Sequence, residues 1–486
     1  MSNKLFKTEI PFYIAFLFVC VFILLQSPLA PYAKSTNGVD SSVFIYSARQ
    51  ILNGQIMYKD IVDHKGPFLY LINVIALLIF NGKFIGIWIF EIISLFMASI
   101  MMYKTALFFA GKFSSFLAVV TALLSLVPLL VGGNLTEEWA LPFISIAMYI
   151  FIAYLKDNKP FNIVRLLVLS ITFALVFMIQ VKLVAVWAGF GIGLLIKWTV
   201  EKKYKELIRN LSFLLLFTLL FSLPFFLYFH FNKALSDAIY LVFSYNMFEY
   251  SPQTVIFTLK RCFKVLAGVY WLSVIPFTMV IWMFLREKTK INVSIFLAFI
   301  FTSLGCSLGP RFPHYFMIFA PLLIIPYSYI LEIIKENFPK AKYIYVLILF
   351  LFYNYYPAII QAQNISDNYS EKGFCIDEVS PPSIMKMLNN MIIQNTKPGD
   401  KILVNGYQSS VYLSSDRTCA TRFPYPLRSS LMAKYYVAET QKALPKLIIK
   451  GAIVNSWENS LDNLLNDKYQ LIPSNIKGIE IWKLKE

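Results

Sequence analysis

Residues 10–42 read IPFYIAFLFVCVFILLQSPLAPYAKSTNGVDSS. The stretch from Ile10 to about Ala30 carries no charge and is long enough to cross the ~30 Å hydrocarbon layer as one helix. Lys4 and Lys7 precede it in the manner of a signal peptide, yet the run is long and no clean A-x-A site follows. It is read as an uncleaved first span. Beyond it the chain turns polar and reaches Asp40 about ten residues later. A charge-free run followed by a short polar loop recurs along most of the sequence. That alternation sets the fold class: a mainly α, polytopic helical bundle in a membrane.

Composition agrees. Of 486 residues, 58% are hydrophobic and 15% charged, where soluble domains carry about a quarter charged. A single soluble core stops growing near ~250–300 residues, so the excess apolar surface belongs in lipid. After 10–30, further spans are expected near 84–103, 114–132, 138–155, 164–180, 184–198, 210–229, 263–285, 291–307, 315–334 and 343–360, eleven in all. The 67–82 segment is apolar but short, and is read as a helix lying at the interface.

The net charge of +17 would suggest nucleic acid in a soluble protein. Here the basic residues cluster in short loops: Lys104 and Lys112; Lys156, Lys159 and Arg165; Lys197, Lys202, Lys203, Lys205 and Arg209; Arg286, Lys288 and Lys290; Lys335, Lys340 and Lys342. With 67–82 on the surface, all fall on the side of Lys4 and Lys7, as the positive-inside rule asks. Lys260, Arg261 and Lys264 run against that pattern. The expected layout is a membrane domain over 1–362, N-terminus inside, with a first outer loop at 31–83. An extracytoplasmic α/β domain then occupies 363–486. There the sequence predicts a helix from Ser380-Pro381-Pro382 to about Gln394, strands at Lys401–Asn405 and Leu447–Val454, and a Tyr469–Leu484 hairpin. Cys20, Cys262 and Cys306 read as packing; Cys375 and Cys419 are either bridged or free thiols. No CxxC or Cys/His cluster points to zinc.

On this topology the chemically useful residues collect outside. Asp40 suits a general base or a helix N-cap for 41–52. The stretch 59–65 packs Asp60, Asp63, Lys59, Lys65 and His64 together, either as a solvated loop or against a lipid headgroup phosphate. Glu137 and Glu138 either cap the fourth span or bind a metal or sugar hydroxyl. Arg311, His314 and Lys182 face outward; snorkelling explains one of them, while Arg and His together suit a phosphate. Gly189, Gly191 and Gly193 lie inside a span and are read as permitting close helix packing. No Walker A, HExxH or well-placed GxSxG pattern occurs.

Taken together, the chain resembles the GT-C superfamily of polyprenyl-phosphate-sugar glycosyltransferases, near the family 39 and arabinose-transferase-like bacterial members. The resemblance rests on Asp40 with Tyr46, Ala48 and Arg49, on Leu52-Asn53-Gly54-Gln55, on Tyr58-Lys59-Asp60, and on Asp63-His64-Lys65-Gly66-Pro67. Asn134 to Glu138, Arg311 to Phe316 and Lys397 to Ile402 extend it. It implies that Asp40 is the catalytic acid of the first outer loop, assisted by Glu137 or Glu138. The donor would be a sugar on undecaprenyl phosphate, its phosphate held by Arg311, His314, Lys182 and Tyr315. Asp60, Asp63, His64 and Lys65 would shape the acceptor and donor entrance. The acceptor would be a surface glycan or glycolipid such as O-antigen or lipopolysaccharide. Asp40-Ser41 departs from the Asp-Glu pair of protein O-mannosyltransferases, which argues against a protein acceptor. A divalent metal, Mg or Mn, stays open. The rivals are an O-antigen polymerase or ligase, which lacks the Asp40–Pro67 pattern, and a transporter or flippase. A transporter places charge at span centres and shows repeated halves; these spans are nearly charge-free at their centres and no duplication is evident.

Overall fold

The computed structural model describes the chain except for residues 1, 131, 158–159, 251–273, 309–311, 339–354, 371–381, 407–408, 426, 428, 452–460, 475 and 486. The uninterrupted apolar runs become helices, because only a helix satisfies every backbone N–H and C=O within one segment in lipid. The first nine are α1 (Ser2–Leu24), α2 (Val39–Leu52), α3 (Pro67–Ile79), α4 (Ile85–Ala106), α5 (Lys112–Leu124), α6 (Thr136–Asp157), α7 (Ile163–Phe177), α8 (Ala185–Val200) and α9 (Tyr204–Phe231). Helices Val274–Arg286, Lys290–Ser307 and Ala320–Asn337 complete the described bundle. Among the described residues, seven helices are long and apolar enough to cross a membrane, and four more apolar helices are shorter. The expected count of eleven spans is therefore not established, and most of 343–360 lies outside the described residues.

Segment 67–82 forms α3, 13 residues long and so about 20 Å at 1.5 Å per residue. It is too short to cross the layer upright and packs on α2. Two of the three glycines of α8, Gly189 and Gly193, permit close packing as expected, while Gly191 faces open space. A Cβ at Gly189 would stand 2.4 Å from the Cα of Ala298, and one at Gly193 would strike Ser294. Small residues thus bring α8 against Lys290–Ser307. By contrast α9 leaves Leu215, Leu216, Leu219 and Leu220 exposed, the surface a lipid-facing helix presents.

The polar C-terminal part builds one five-stranded sheet of β1 (Lys401–Asn405), β2 (Thr418–Cys419), β3 (Leu447–Lys450), β4 (Tyr469–Ile472) and β5 (Glu480–Leu484), in the order β2-β1-β3-β5-β4. β1 runs parallel to β2 and β3, while β5 is antiparallel to β3 and β4. The parallel centre reads as a continuous apolar run: Ile402, Leu403 and Val404 are buried, as are Leu447, Ile448 and Ile449. Strands covered on both faces require that pattern. The expected helix appears as Pro382–Asn395; its proposed Ser380 cap lies outside the described residues. Helix Tyr355–Tyr369 runs through the expected boundary near 362. Its Asn368 donates to the carbonyls of Leu25 and Ser27, tying the end of the bundle to the exit of α1. Cys419 is a free, buried thiol beside Tyr412; Cys375, its expected alternative partner, lies outside the described residues.

Candidate active site

Asp40 does not cap its helix. Gly38 holds the N-cap position, no side chain caps it, and Asp40 sits half-buried in the first turn. Its carboxylate acts electrostatically on Lys65, Lys182, His314 and Tyr315. One charged pocket therefore gathers residues from the first loop, α6, the turn before α8 and the 313–319 turn.

The loop after α2 is pinned from several sides. Tyr58, at φ +69°, takes a backbone conformation that costs a non-glycine residue energy. Its N–H reaches the Ile61 carbonyl at 2.7 Å and its buried hydroxyl the Lys65 carbonyl at 2.7 Å. Gly66 closes the loop against the end of α7, where its N–H reaches Ile179 O at 2.8 Å and a Cβ would meet the Met178 carbonyl at 2.2 Å. Asp63 is buried and accepts from the His64 backbone N–H (2.6 Å), from the Tyr425 hydroxyl (2.5 Å) and from Tyr70. Lys65 donates to His64 Nε2 at 3.0 Å. That places the imidazole proton on Nδ1, 3.2 Å from Asp63 and 3.1 Å from the Tyr425 oxygen.

This chain of contacts explains the charge states. Burial alone would raise the Asp63 carboxyl, but the His64 hydrogen bond, the Lys65 charge and the Tyr425 hydroxyl outweigh it and hold it well below its ordinary value. Burial and the Lys65 ammonium push His64 below 6.5, against the pull of Asp63; it is neutral at pH 7. For Lys65 burial opposes the charge, yet Tyr250 and the carboxylates of Asp40, Asp63 and Glu137 offset it and raise its value. The result is a buried, protonated ammonium at the meeting point of three carboxylates. Asp63 and His64 hold Lys65 in place, a role apart from the expected entrance contacts.

Glu137 and Glu138 part company. Glu137 is fully buried, accepts from Thr136 at 2.8 Å and pairs with Lys182 at 3.7 Å, near His314. Lys182 lies over the Tyr315 ring. Glu138 instead meets Glu91 of α4, and so stands behind the pocket as a support. Asp60 also leaves the cluster: it is exposed and accepts from the Ile56 N–H at 2.9 Å. Arg311 lies outside the described residues. Among the described residues no three His, Cys, Asp or Glu side chains group to hold a metal.

Several participants escaped the sequence reading. Asn134, in the left-handed region at φ +56°, donates its N–H to Glu91 and its amide to Ser41 and Asn73 (3.3 and 2.9 Å), and accepts from Trp139 (2.9 Å). It thereby joins the helices that carry Asp40 and Glu137. Glu91 was visible as the one acid in the 84–103 run, where a charge signals a function or a partner. Tyr70, Tyr250 and Tyr425 carried no such signal.

No protein-family model matches the sequence, and no curated protein does. The fold itself has solved counterparts. ArnT from Cupriavidus metallidurans bound to undecaprenyl phosphate superposes with a TM-score of 0.62 at 10% identity, over 98% of both chains. Its apo state gives 0.64 at the same identity and coverage. An Archaeoglobus fulgidus oligosaccharyltransferase, tethered to an acceptor peptide containing the NVT sequon, gives 0.54 at 12% identity over 98% of this chain and 74% of its own. The chain therefore has the GT-C fold.

Proposed function

We propose that this chain is a polyprenyl-phosphate-dependent membrane glycosyltransferase that works at the outer face of the membrane. The observation that carries the reading is the convergence of a half-buried carboxylate, Asp40, with three basic side chains, the protonated Lys65 together with Lys182 and His314, beside Glu137. Such a pocket suits the opposite demands of the two reactants. A hydroxyl acceptor needs a base, and a leaving phosphate needs positive charge.

In the proposed single displacement, Asp40 accepts the proton of an acceptor hydroxyl. The freed oxygen attacks the anomeric carbon from the face opposite the phosphate, a new C–O bond forms, and configuration inverts. The bond to the phosphate oxygen breaks, and its electron pair leaves with the polyprenyl phosphate. Lys65 meets that developing charge because it is already protonated and already fixed by His64 and Tyr58. Preorganised charge of this kind stabilises transition states without reorganisation at the moment of reaction. Lys182 and His314 add a second wall of basic side chains. Glu137 holds Lys182 in place and keeps the empty pocket from accumulating uncompensated charge. ArnT, solved with undecaprenyl phosphate, and the oligosaccharyltransferase, solved with an acceptor peptide, support a lipid-linked donor and a separate acceptor. The acceptor proposed here is a hydroxyl of a surface glycan or glycolipid, with the N-terminus in the cytoplasm and the 363–486 domain extracytoplasmic.

The test is transfer from labelled undecaprenyl-phosphate sugars to surface glycolipids in membranes carrying the protein. Asp40→Asn is expected to lower transfer about 10²–10⁴-fold, the usual contribution of a positioned base, while donor binding persists. Undiminished transfer in that variant would remove Asp40 from its role.

A further inference from the structure

A separate cavity of about 360 Å³ lies away from the charged pocket, in the seam between the first outer loop and the C-terminal sheet. Tyr46, Gln55, Lys59 and Asp60 form one wall, and Lys401, Thr421 and Arg422 form the other. The two walls are bolted together. The Val62 N–H reaches the Arg422 carbonyl at 2.7 Å, and the Cys419 N–H reaches the Tyr46 hydroxyl at 2.9 Å. The volume falls in the ~300–1,000 Å³ range of small-molecule sites. Its lining is polar, which disfavours a polyprenyl tail or an acyl chain.

The lining itself carries three cations, Lys59, Lys401 and Arg422, against two carboxylates, Asp60 and Glu439. Arg422 is matched within the protein, by Glu439 at 2.8 Å and Asp237 at 3.7 Å. The Asp60 carboxylate takes its own turn's N–H. Lys59 reaches only the Asn232 carbonyl, at 3.5 Å, and among the described residues neither Lys59 nor Lys401 forms an ion pair. Two exposed ammonium groups therefore stand at a cavity whose remaining donors and acceptors, Gln55, Asp60 and Thr421, suit hydroxyl groups. Tyr46 lies six residues after Asp40 on α2, a rise of about 9 Å, a distance that a short glycan spans.

We propose that this seam cavity binds an anionic saccharide, a sugar unit bearing a phosphate or carboxylate, as part of the acceptor. Lys59 and Lys401 hold the anion, while Gln55, Asp60 and Thr421 hold the hydroxyls. The assignment to the acceptor rests on the glycosyltransferase reading, but binding itself is measured without any transfer. The experiment uses the full chain in lipid nanodiscs and saturation-transfer-difference NMR with four probes: glucose 6-phosphate, glucuronic acid, neutral glucose and inorganic phosphate. At least one anionic sugar is expected to bind tighter than both glucose and phosphate, and which one does so separates the phosphate from the carboxylate source. Its Kd should weaken tenfold or more in Lys59→Glu and in Lys401→Glu, both exposed positions that folding tolerates, and in Ala420→Trp, which fills the cavity. Binding should persist in Asp40→Asn. Equal binding of glucose and the anionic sugars, phosphate binding as tightly as sugar phosphate, or indifference to both lysine reversals would each overturn the proposal. Loss of binding in these variants alongside intact donor turnover would confirm the seam. Failed turnover with intact probe binding would instead count against the transferase reading alone.

Discussion

At the scale of the residue, the pocket depends on how three adjacent side chains share two hydrogen atoms. Asp63 anchors, His64 relays and Lys65 presents the charge, with Tyr425 reaching in from the far end of the chain. Removing the Tyr425 hydroxyl by Tyr425→Phe leaves a buried carboxylate one donor short, at a cost of about 1–3 kcal/mol. A fall in thermal midpoint and weaker transfer, measured side by side, check this. His64 supplies a pH dependence. Its folded value lies below 6.5, so the unfolded chain takes up the proton first as acid is added. Its stabilisation is complete above about pH 6.5 and is lost as pH falls through the lowered folded value. Asp63 moves in the same direction, but only in stronger acid. Thermal midpoints measured across pH should therefore decline on the acid side of 6.5, and His64→Gln should flatten that limb. A wild-type curve flat down to pH 5 would contradict it. Asp40 stood out in the sequence as an acid just beyond a charge-free run, with a helix N-cap as its structural alternative; the structure removes that alternative by placing Gly38 at the cap. Tyr425 was not, since a tyrosine among many carries no spacing signal and its partner lies 362 positions away.

Helices and loops were read more fully than their junctions. Apolar length alone located α4 to α9, and four of the five strands followed from short apolar stretches between turns; β2, only Thr418–Cys419, was not expected. What periodicity does not encode is where two loops touch. Gly66 shows this: in the sequence it stood only as a member of the Asp63–Pro67 motif, whereas the structure shows a backbone-to-backbone contact with the end of α7. Gly66→Ala is expected to push Lys65 out of register, lowering transfer at least tenfold while the helices persist. Circular dichroism together with the transfer assay separates those effects. The Asn134 turn is the second junction. Asn134→Ala strips four side-chain hydrogen bonds and places alanine at a positive φ, so a loss of about 2–4 kcal/mol is expected. Chemical unfolding in detergent would measure it, and a loss below 1 kcal/mol would show that the turn does not couple α2 to α6. Glu137 and Glu138 are neighbours in sequence with separate duties, because successive positions on a helix point about 100° apart. Their different partners follow from that angle.

On the scale of the whole molecule, the charged pocket is assembled from both ends of the chain. The first loop supplies the ammonium, the later turns supply Lys182 and His314, and the C-terminal domain braces the loop through Tyr425, Arg422 and Cys419. Ser430 also docks on Glu249 at 2.9 Å, linking that domain to the helix before residue 250. The sequence divides the chain into a membrane part and a polar part; the contacts show that the polar part braces the loop that carries Asp63 to Lys65. A reporter fused after Glu486 should accordingly be active only outside the cytoplasm, and cytoplasmic activity would overturn the topology. The most direct test of the account is a cryo-EM structure of the protein in nanodiscs loaded with undecaprenyl phosphate. The account predicts phosphate density in contact with Lys65, facing Lys182 and His314, with Asp40 on the open side of the same pocket. Phosphate density elsewhere on the protein, with the Asp40–Lys65 pocket empty, would contradict it.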